Sequence, residues 1–192
     1  NKRTNITDVN YINRSTKGVY EFGSVFKTFT LAAAFNNDSI NGKTEFKNLE
    51  KSIKCGKNII REYDEKIPSD LTAEEILIRS GNIGSVRIGQ SVGLENYKKF
   101  LNDLKLIRPI NFDIEEVGVP VAFKWGKCKL ATVSYGHGIT TTILQLANAY
   151  SILANGGFEI KPSLTKNVSS YKKKRILNKD VSKKILPILR KI

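Results

Sequence analysis

Eleven consecutive residues, Val25 to Phe35, carry a single charge, Lys27, and no polar group larger than the hydroxyls of Thr28 and Thr30. Leu31 and the triplet Ala32-Ala33-Ala34 favour helix. A helix apolar on nearly every side reads as buried. The chain is therefore expected to fold around this segment. Gly23 and Ser24 stand where a turn and a helix start belong, and Asn36-Asn37-Asp38 stops the run.

Other elements arrange themselves around it. Thr72 and Glu75 form a capping-box pattern, with Leu71 and Ile76 placed as a hydrophobic staple. The spacing predicts a helix through Ile78 that breaks at Ser80-Gly81-Asn82, and a second helix from Ile83 towards Gln90. Tyr97, Phe100, Leu101 and Leu104 recur at i, i+3, i+4, i+7, an amphipathic helix after Gly93. Thr141 or Thr142 opens a further helix to Ala154, which Asn155-Gly156-Gly157 ends as a left-handed cap. Phe158 to Pro162 reads as a short strand, and a weak helix begins near Asp180. Residues 1–20 read as polar and turn-rich, 36–68 as irregular surface with short extended pieces, and 106–133 as connection. The length of 192 residues suits one domain.

Charge is lopsided: 32 Lys+Arg against 18 Asp+Glu give +14 at pH 7. Such an excess invites a polyanion partner, but the abundance of Lys, Asn and Ile also reads as plain composition. The late basic runs, Tyr171-Lys172-Lys173-Lys174-Arg175 and Lys183-Lys184, have no interleaved aromatic platform and no helix-turn-helix or zinc-finger spacing. No nucleic-acid partner is expected. Cys55 and Cys128 are either a disulfide or two free thiols. With one histidine, His137, no His-rich zinc site is expected. No run of about 18 apolar residues occurs, so nothing in the sequence spans a membrane as a helix. Both ends read as cut: the first residue is Asn1, and Ile192 falls inside an apolar, helix-like pattern.

Ser24 and Lys27 are three apart, which on a helix puts both side chains on one face. A serine hydroxyl needs a base beside it to act as a nucleophile. A lysine serves only if burial strips its proton near neutral pH. Val25, Phe26, Phe29 and Leu31 supply apolar neighbours for that. A serine at a helix start also gains backbone N–H groups that favour a developing oxyanion. Spacing alone is weak evidence, because S-x-x-K arises by chance and a capping serine with a solvated lysine gives the same pattern.

Context makes it specific. Gly18-Val19-Tyr20-Glu21-Phe22-Gly23-Ser24-Val25-Phe26-Lys27-Thr28-Phe29-Thr30 resembles the E-P-G-S-x-x-K-x-x-T nucleophile helix of class B penicillin-binding proteins, with Phe22 in place of the usual Pro. Arg79-Ser80-Gly81-Asn82-Ile83-Gly84 resembles the family's S-x-N loop, which follows a helix about fifty residues later. Ser134-Tyr135-Gly136-His137-Gly138, continuing through Thr142, Gln145, Ala147, Ala149 and Tyr150 to Ala154-Asn155-Gly156-Gly157, resembles a third stretch of the same proteins. His137 is read as structural, because S-x-x-K chemistry uses no histidine base.

The resemblance implies an α+β fold of the penicillin-binding/serine β-lactamase type, with residues 1–192 as a partial transpeptidase domain. It implies a peptidoglycan D,D-transpeptidase that forms a serine acyl-enzyme on D-Ala-D-Ala stem peptides. Ser24 would be the nucleophile and Lys27 its base. Ser80 would pass protons, Asn82 would hold the substrate amide and Lys27, and Gly23 and Gly81 would line the substrate. No metal or organic cofactor is required. The implied partners are stem peptides, β-lactams and a glycan polymerase, and the implied location is an inner-membrane anchor with a periplasmic catalytic domain. No K-T-G or K-S-G occurs, so most of the central antiparallel sheet is expected to be missing. The face of Val25, Phe29, Ala32 and Ala33 would then meet water, making the chain unstable or sticky. Two rivals stand beside this reading. A serine β-lactamase is opposed by Gly81 where class A enzymes have Asp. A non-catalytic basic scaffold paralogue would be favoured by a gene without K-T-G.

Overall fold

Nine of the ten residues of helix α1 (Lys27–Asn36) are buried, so the apolar run becomes the core helix that its composition dictates. The computed structural model describes residues 11–166 and 174–192. Three pairs of short antiparallel strands accompany the helices. β1 (Val19–Tyr20) pairs with β6 (Thr141–Thr142), β2 (Glu45–Phe46) with β5 (Leu71–Thr72), and β3 (Ser52–Cys55) with β4 (Asn58–Arg61). The remaining helices are α2 (Ala73–Ile78), α3 (Asn82–Val92), α4 (Leu94–Asp103), α5 (Lys127–Ser134), α6 (Ile143–Ala154) and α7 (Lys179–Leu189).

Helix α1 packs against α3, α7, α4 and α2, and α3 in turn packs on α5. This corrects the expectation that the face of Val25, Phe29, Ala32 and Ala33 meets water. Phe29, Ala32 and Ala33 are fully buried, and only Val25, in the turn before α1, is exposed. The cover comes from α7 and the α3–α4 pair, which the pattern of α1 itself could not announce. A polar tie fixes the packing. Thr30 Oγ1 lies 2.7 Å from Tyr97 Oη on α4 and donates to the Ser134 carbonyl of α5 at 2.7 Å. Burial holds the Tyr97 phenol protonated.

Both capping boxes form. Thr72 accepts from the Glu75 amide, and its own N–H and hydroxyl donate to the Glu75 carboxylate. Thr142 and Gln145 do the same at α6, where both are fully buried. There the Gln145 amide nitrogen also donates to the Lys105 and Arg108 carbonyls, each at 2.7 Å. The box thus anchors the 105–108 segment to α6. Thr142→Ala is expected to cost about 1–2 kcal/mol. The urea midpoint should fall with an unchanged slope; an unmoved midpoint would contradict the role of the cap.

Three further sequence readings are corrected or completed. The stretch from Leu106 to Val133 is not all connection, since α5 starts at Lys127. Its first turn has no side-chain cap, and charged residues alternate with apolar ones, so no local signal marks it. Phe158 to Pro162 forms no strand; Phe158 makes one isolated bridge to Arg175. Cys55 and Cys128 are disulfide-bonded, with 5.4 Å between their Cα atoms, and this ties the end of β3 to the first turn of α5. Of the late basic run, Tyr171 to Lys173 lie outside the described residues, as do residues 1–10. Arg175 lies over the Phe158 ring at 4.2 Å. Among the described residues no helix is long and apolar enough to cross a membrane.

Candidate functional site

The helix that carries Ser24 does not begin as an α-helix. Gly23–Phe26 form a 3₁₀ turn, and the Lys27 amide donates to the Ser24 carbonyl. In a 3₁₀ turn the side chains of i and i+3 eclipse. Ser24 and Lys27 are therefore aligned more closely than the α-helical spacing assumed from sequence would make them. Gly23 enters the turn at φ +57°, in the left-handed region that favours glycine. Tyr150 of α6 braces the turn from behind, its hydroxyl reaching the Val25 carbonyl at 3.2 Å and Thr28 Oγ1 at 3.1 Å. The Ser24 side chain is exposed, and Lys27 is 2% exposed.

Lys27 Nζ donates to the Ser80 carbonyl at 2.5 Å, to Ser80 Oγ at 3.0 Å and to Asn82 Oδ1 at 2.7 Å. An ammonium has three hydrogens, and all three are used. Burial pulls the ammonium down to about 8, against the opposing charge of Glu62. Ser80 sits at φ +54°, uncommon for a non-glycine residue, at the tip between α2 and α3. That geometry presents both its carbonyl and its hydroxyl to one amine. Gly81 is the N-terminal boundary of α3, with extended backbone, and Asn82 is the first residue of that helix.

The structure thus brings together Lys27, Ser80 and Asn82, with Ser24 one turn before Lys27 and Gly23 and Gly81 beside them in the chain. His137 is not part of that cluster. Its Nδ1 lies 2.9 Å from Glu21 Oε1, and its ring stacks on Tyr135. Among the described residues no group of His, Cys, Asp and Glu is arranged to hold a metal ion.

Sequence reasoning missed the segment that supports this cluster from the other side. Asn82 Nδ2 donates to the Arg61 carbonyl at 2.9 Å. The Glu62 carboxylate accepts from the Asn82 and Ile83 amides at 2.7 and 2.8 Å. Tyr63 Oη donates to the Arg79 carbonyl at 2.9 Å, and its ring centroid is 5.9 Å from Lys27 Nζ. No local pattern points to these residues, which lie about twenty positions before their partners.

The family described as "Penicillin binding protein transpeptidase domain" matches residues 1–192. "Probable peptidoglycan D,D-transpeptidase FtsI" of Caulobacter vibrioides is 29% identical over 99% of this chain and 32% of its own length. "Probable peptidoglycan D,D-transpeptidase PenA" of Neisseria flavescens is 27% identical over 92% of this chain and 44% of its own length. The chain therefore spans less than half of these curated relatives. Among solved structures, the transpeptidase domain of Burkholderia pseudomallei penicillin-binding protein 3 superposes with a TM-score of 0.84 at 21% identity, over 93% of this chain and 55% of that one. That likeness establishes the α+β fold of penicillin-binding transpeptidase domains.

Proposed function

The chain belongs to the penicillin-binding protein transpeptidase-domain family, and on that premise we propose that it is the nucleophile-bearing part of a peptidoglycan D,D-transpeptidase. Residues 1–192 form a partial transpeptidase domain, and Ser24 is its nucleophile. The observation that carries this reading is Lys27: an amine 2% exposed, one turn from Ser24 and held by Ser80 and Asn82.

Ser24 Oγ attacks the carbonyl of the penultimate D-Ala of a stem peptide and gives its proton to neutral Lys27. The new Oγ–C bond makes a tetrahedral oxyanion, favoured by the backbone N–H groups at the start of the 3₁₀ turn. The C–N bond then breaks. The proton passes from Lys27 through Ser80 Oγ to the departing D-Ala nitrogen, and the acyl group stays on Ser24. The amine of a neighbouring stem peptide attacks this ester, transfers its proton back along the same path and releases the serine. Asn82 holds Lys27 through Oδ1. Gly23 and Gly81 leave room for the substrate backbone. A β-lactam acylates the same serine. A glycan polymerase partner, a role in division or elongation, and a membrane anchor with a periplasmic domain belong to the same proposal for the whole protein.

The test is covalent labelling of the intact protein that carries this sequence. A labelled penicillin is expected to modify the peptide containing Ser24, to persist for hours, and to give no adduct with Ser24→Ala. An adduct on another residue, or label unaffected by that substitution, would sink the assignment. Rapid loss of the label would point to a hydrolase.

A further inference from the structure

We propose that Glu62 is a positioning residue of the Ser24 site, one that locks the first turn of α3 so that Asn82 and Ser80 face Lys27. The inference rests on the functional reading above.

Helix α3 has no side-chain cap of its own, since Gly81 stands at the capping position. The first amides of a helix lack intrahelical partners. Glu62 fills that gap from outside, one carboxylate oxygen on the Asn82 amide and the other on the Ile83 amide. Bonds from an ionised carboxylate to backbone N–H groups are among the stronger ones. They also place an anion at the positive end of the helix dipole. Asn82 is thereby fixed at two points by adjacent residues, its amide by Glu62 and its side chain by the Arg61 carbonyl. With Nδ2 committed to Arg61, only Oδ1 is left to face Lys27, and it does so at 2.7 Å. Tyr63 ties the same segment to Arg79, beside Ser80. Three consecutive residues thus brace the 79–83 turn.

The brace is itself anchored. The Glu62 amide donates to the Lys51 carbonyl, and the hairpin of β3 and β4 is disulfide-linked to α5. Around Lys27 stand Ser80 and Asn82 from the turn between α2 and α3, the Tyr63 ring, and Glu62, whose charge opposes the effect of burial.

Two variants separate positioning from mere folding. Glu62→Gln keeps the size, removes the charge and leaves one acceptor oxygen for two amides; Glu62→Ala removes both acceptors. Lysine ¹³Cε resonances, with Lys27 assigned by its absence in Lys27→Met, report the Lys27 titration without any need for activity. In Glu62→Gln the Lys27 midpoint should fall below that of the wild type, and the acid limb of penicillin labelling should move to lower pH with it. In Glu62→Ala the Asn82 and Ile83 amides should exchange with deuterium about tenfold faster or more. A purely structural glutamate would leave the Lys27 midpoint where it is. An unmoved midpoint in Glu62→Gln overturns the proposal whether or not Glu62→Ala folds. If the wild type takes no label on Ser24, the functional reading fails, while the titration still decides the role of Glu62.

Discussion

Lys27→Met is expected to reduce the rate of Ser24 acylation by roughly 10³-fold, the scale of a lost general base, without unfolding the protein. Methionine is a fair match in size for the buried lysine stem, so the surrounding packing need not change. Two opposing effects meet in its stability. The Ser80 and Asn82 oxygens lose their donor, while a desolvated charge is removed. The pH dependence isolates the second effect. Lys27 falls from an ordinary value of 10.5 to about 8 on folding. Between those values the unfolded chain binds the extra proton, so stability rises with pH across the window. The contribution is fully present above 10.5 and lost as pH falls through about 8. It amounts to roughly 3 kcal/mol. The difference between wild-type and Lys27→Met unfolding free energies, measured from pH 7 to 10.5, should trace that slope. The rate of penicillin labelling should rise with pH in the wild type and level off above about 8. Retained labelling, or a flat difference curve, would remove Lys27 from its role as base.

How much of this was legible beforehand follows from the range over which each signal acts. The burial of α1 could be read because its composition leaves no polar face. The boxes at Thr72–Glu75 and Thr142–Gln145 could be read because a cap is a matter of three residues. The meeting of Lys27 with Ser80 and Asn82 spans more than fifty positions. It came from family resemblance, as did the family itself, because spacing alone could not bring those segments together. What stayed hidden depends on tertiary placement. The 3₁₀ start of the Ser24 turn is a matter of a few tens of degrees of backbone. The Cys55–Cys128 bond needs two Cα atoms within about 7 Å, a distance only the fold supplies. Glu62 sits in a stretch read as irregular surface, and nothing around it hints at the amides it would accept twenty residues later. The cover of α1 by α7 is hidden for the same reason: an apolar helix declares that it is buried and not what buries it.

Gly136→Ala should be the most damaging single methyl in the site's surroundings, although Gly136 touches no substrate in the proposed mechanism. A Cβ on Gly136 would lie 1.6 Å from the Gly23 carbonyl oxygen, and the obstacle is backbone, not a side chain that can swing away. Gly136 also has φ +91°, where an L-residue is strained whatever the space. Both effects act on the same joint. The turn after α5 and the turn that carries Ser24 would have to separate, and Gly23 immediately precedes Ser24. Strain and overlap together are expected to cost about 3 kcal/mol or more, a large share of the 5–15 kcal/mol that keeps a typical domain folded. The predicted signature is a lower urea midpoint together with a loss of Ser24 labelling that persists at temperatures where the variant is still folded. Gly126→Ala is the control: its Cβ would meet nothing within 4 Å and its backbone is extended, so both stability and labelling should stay near wild type. If Gly136→Ala matched that control in both measurements, the close approach of the two turns would not be what sets the position of Ser24.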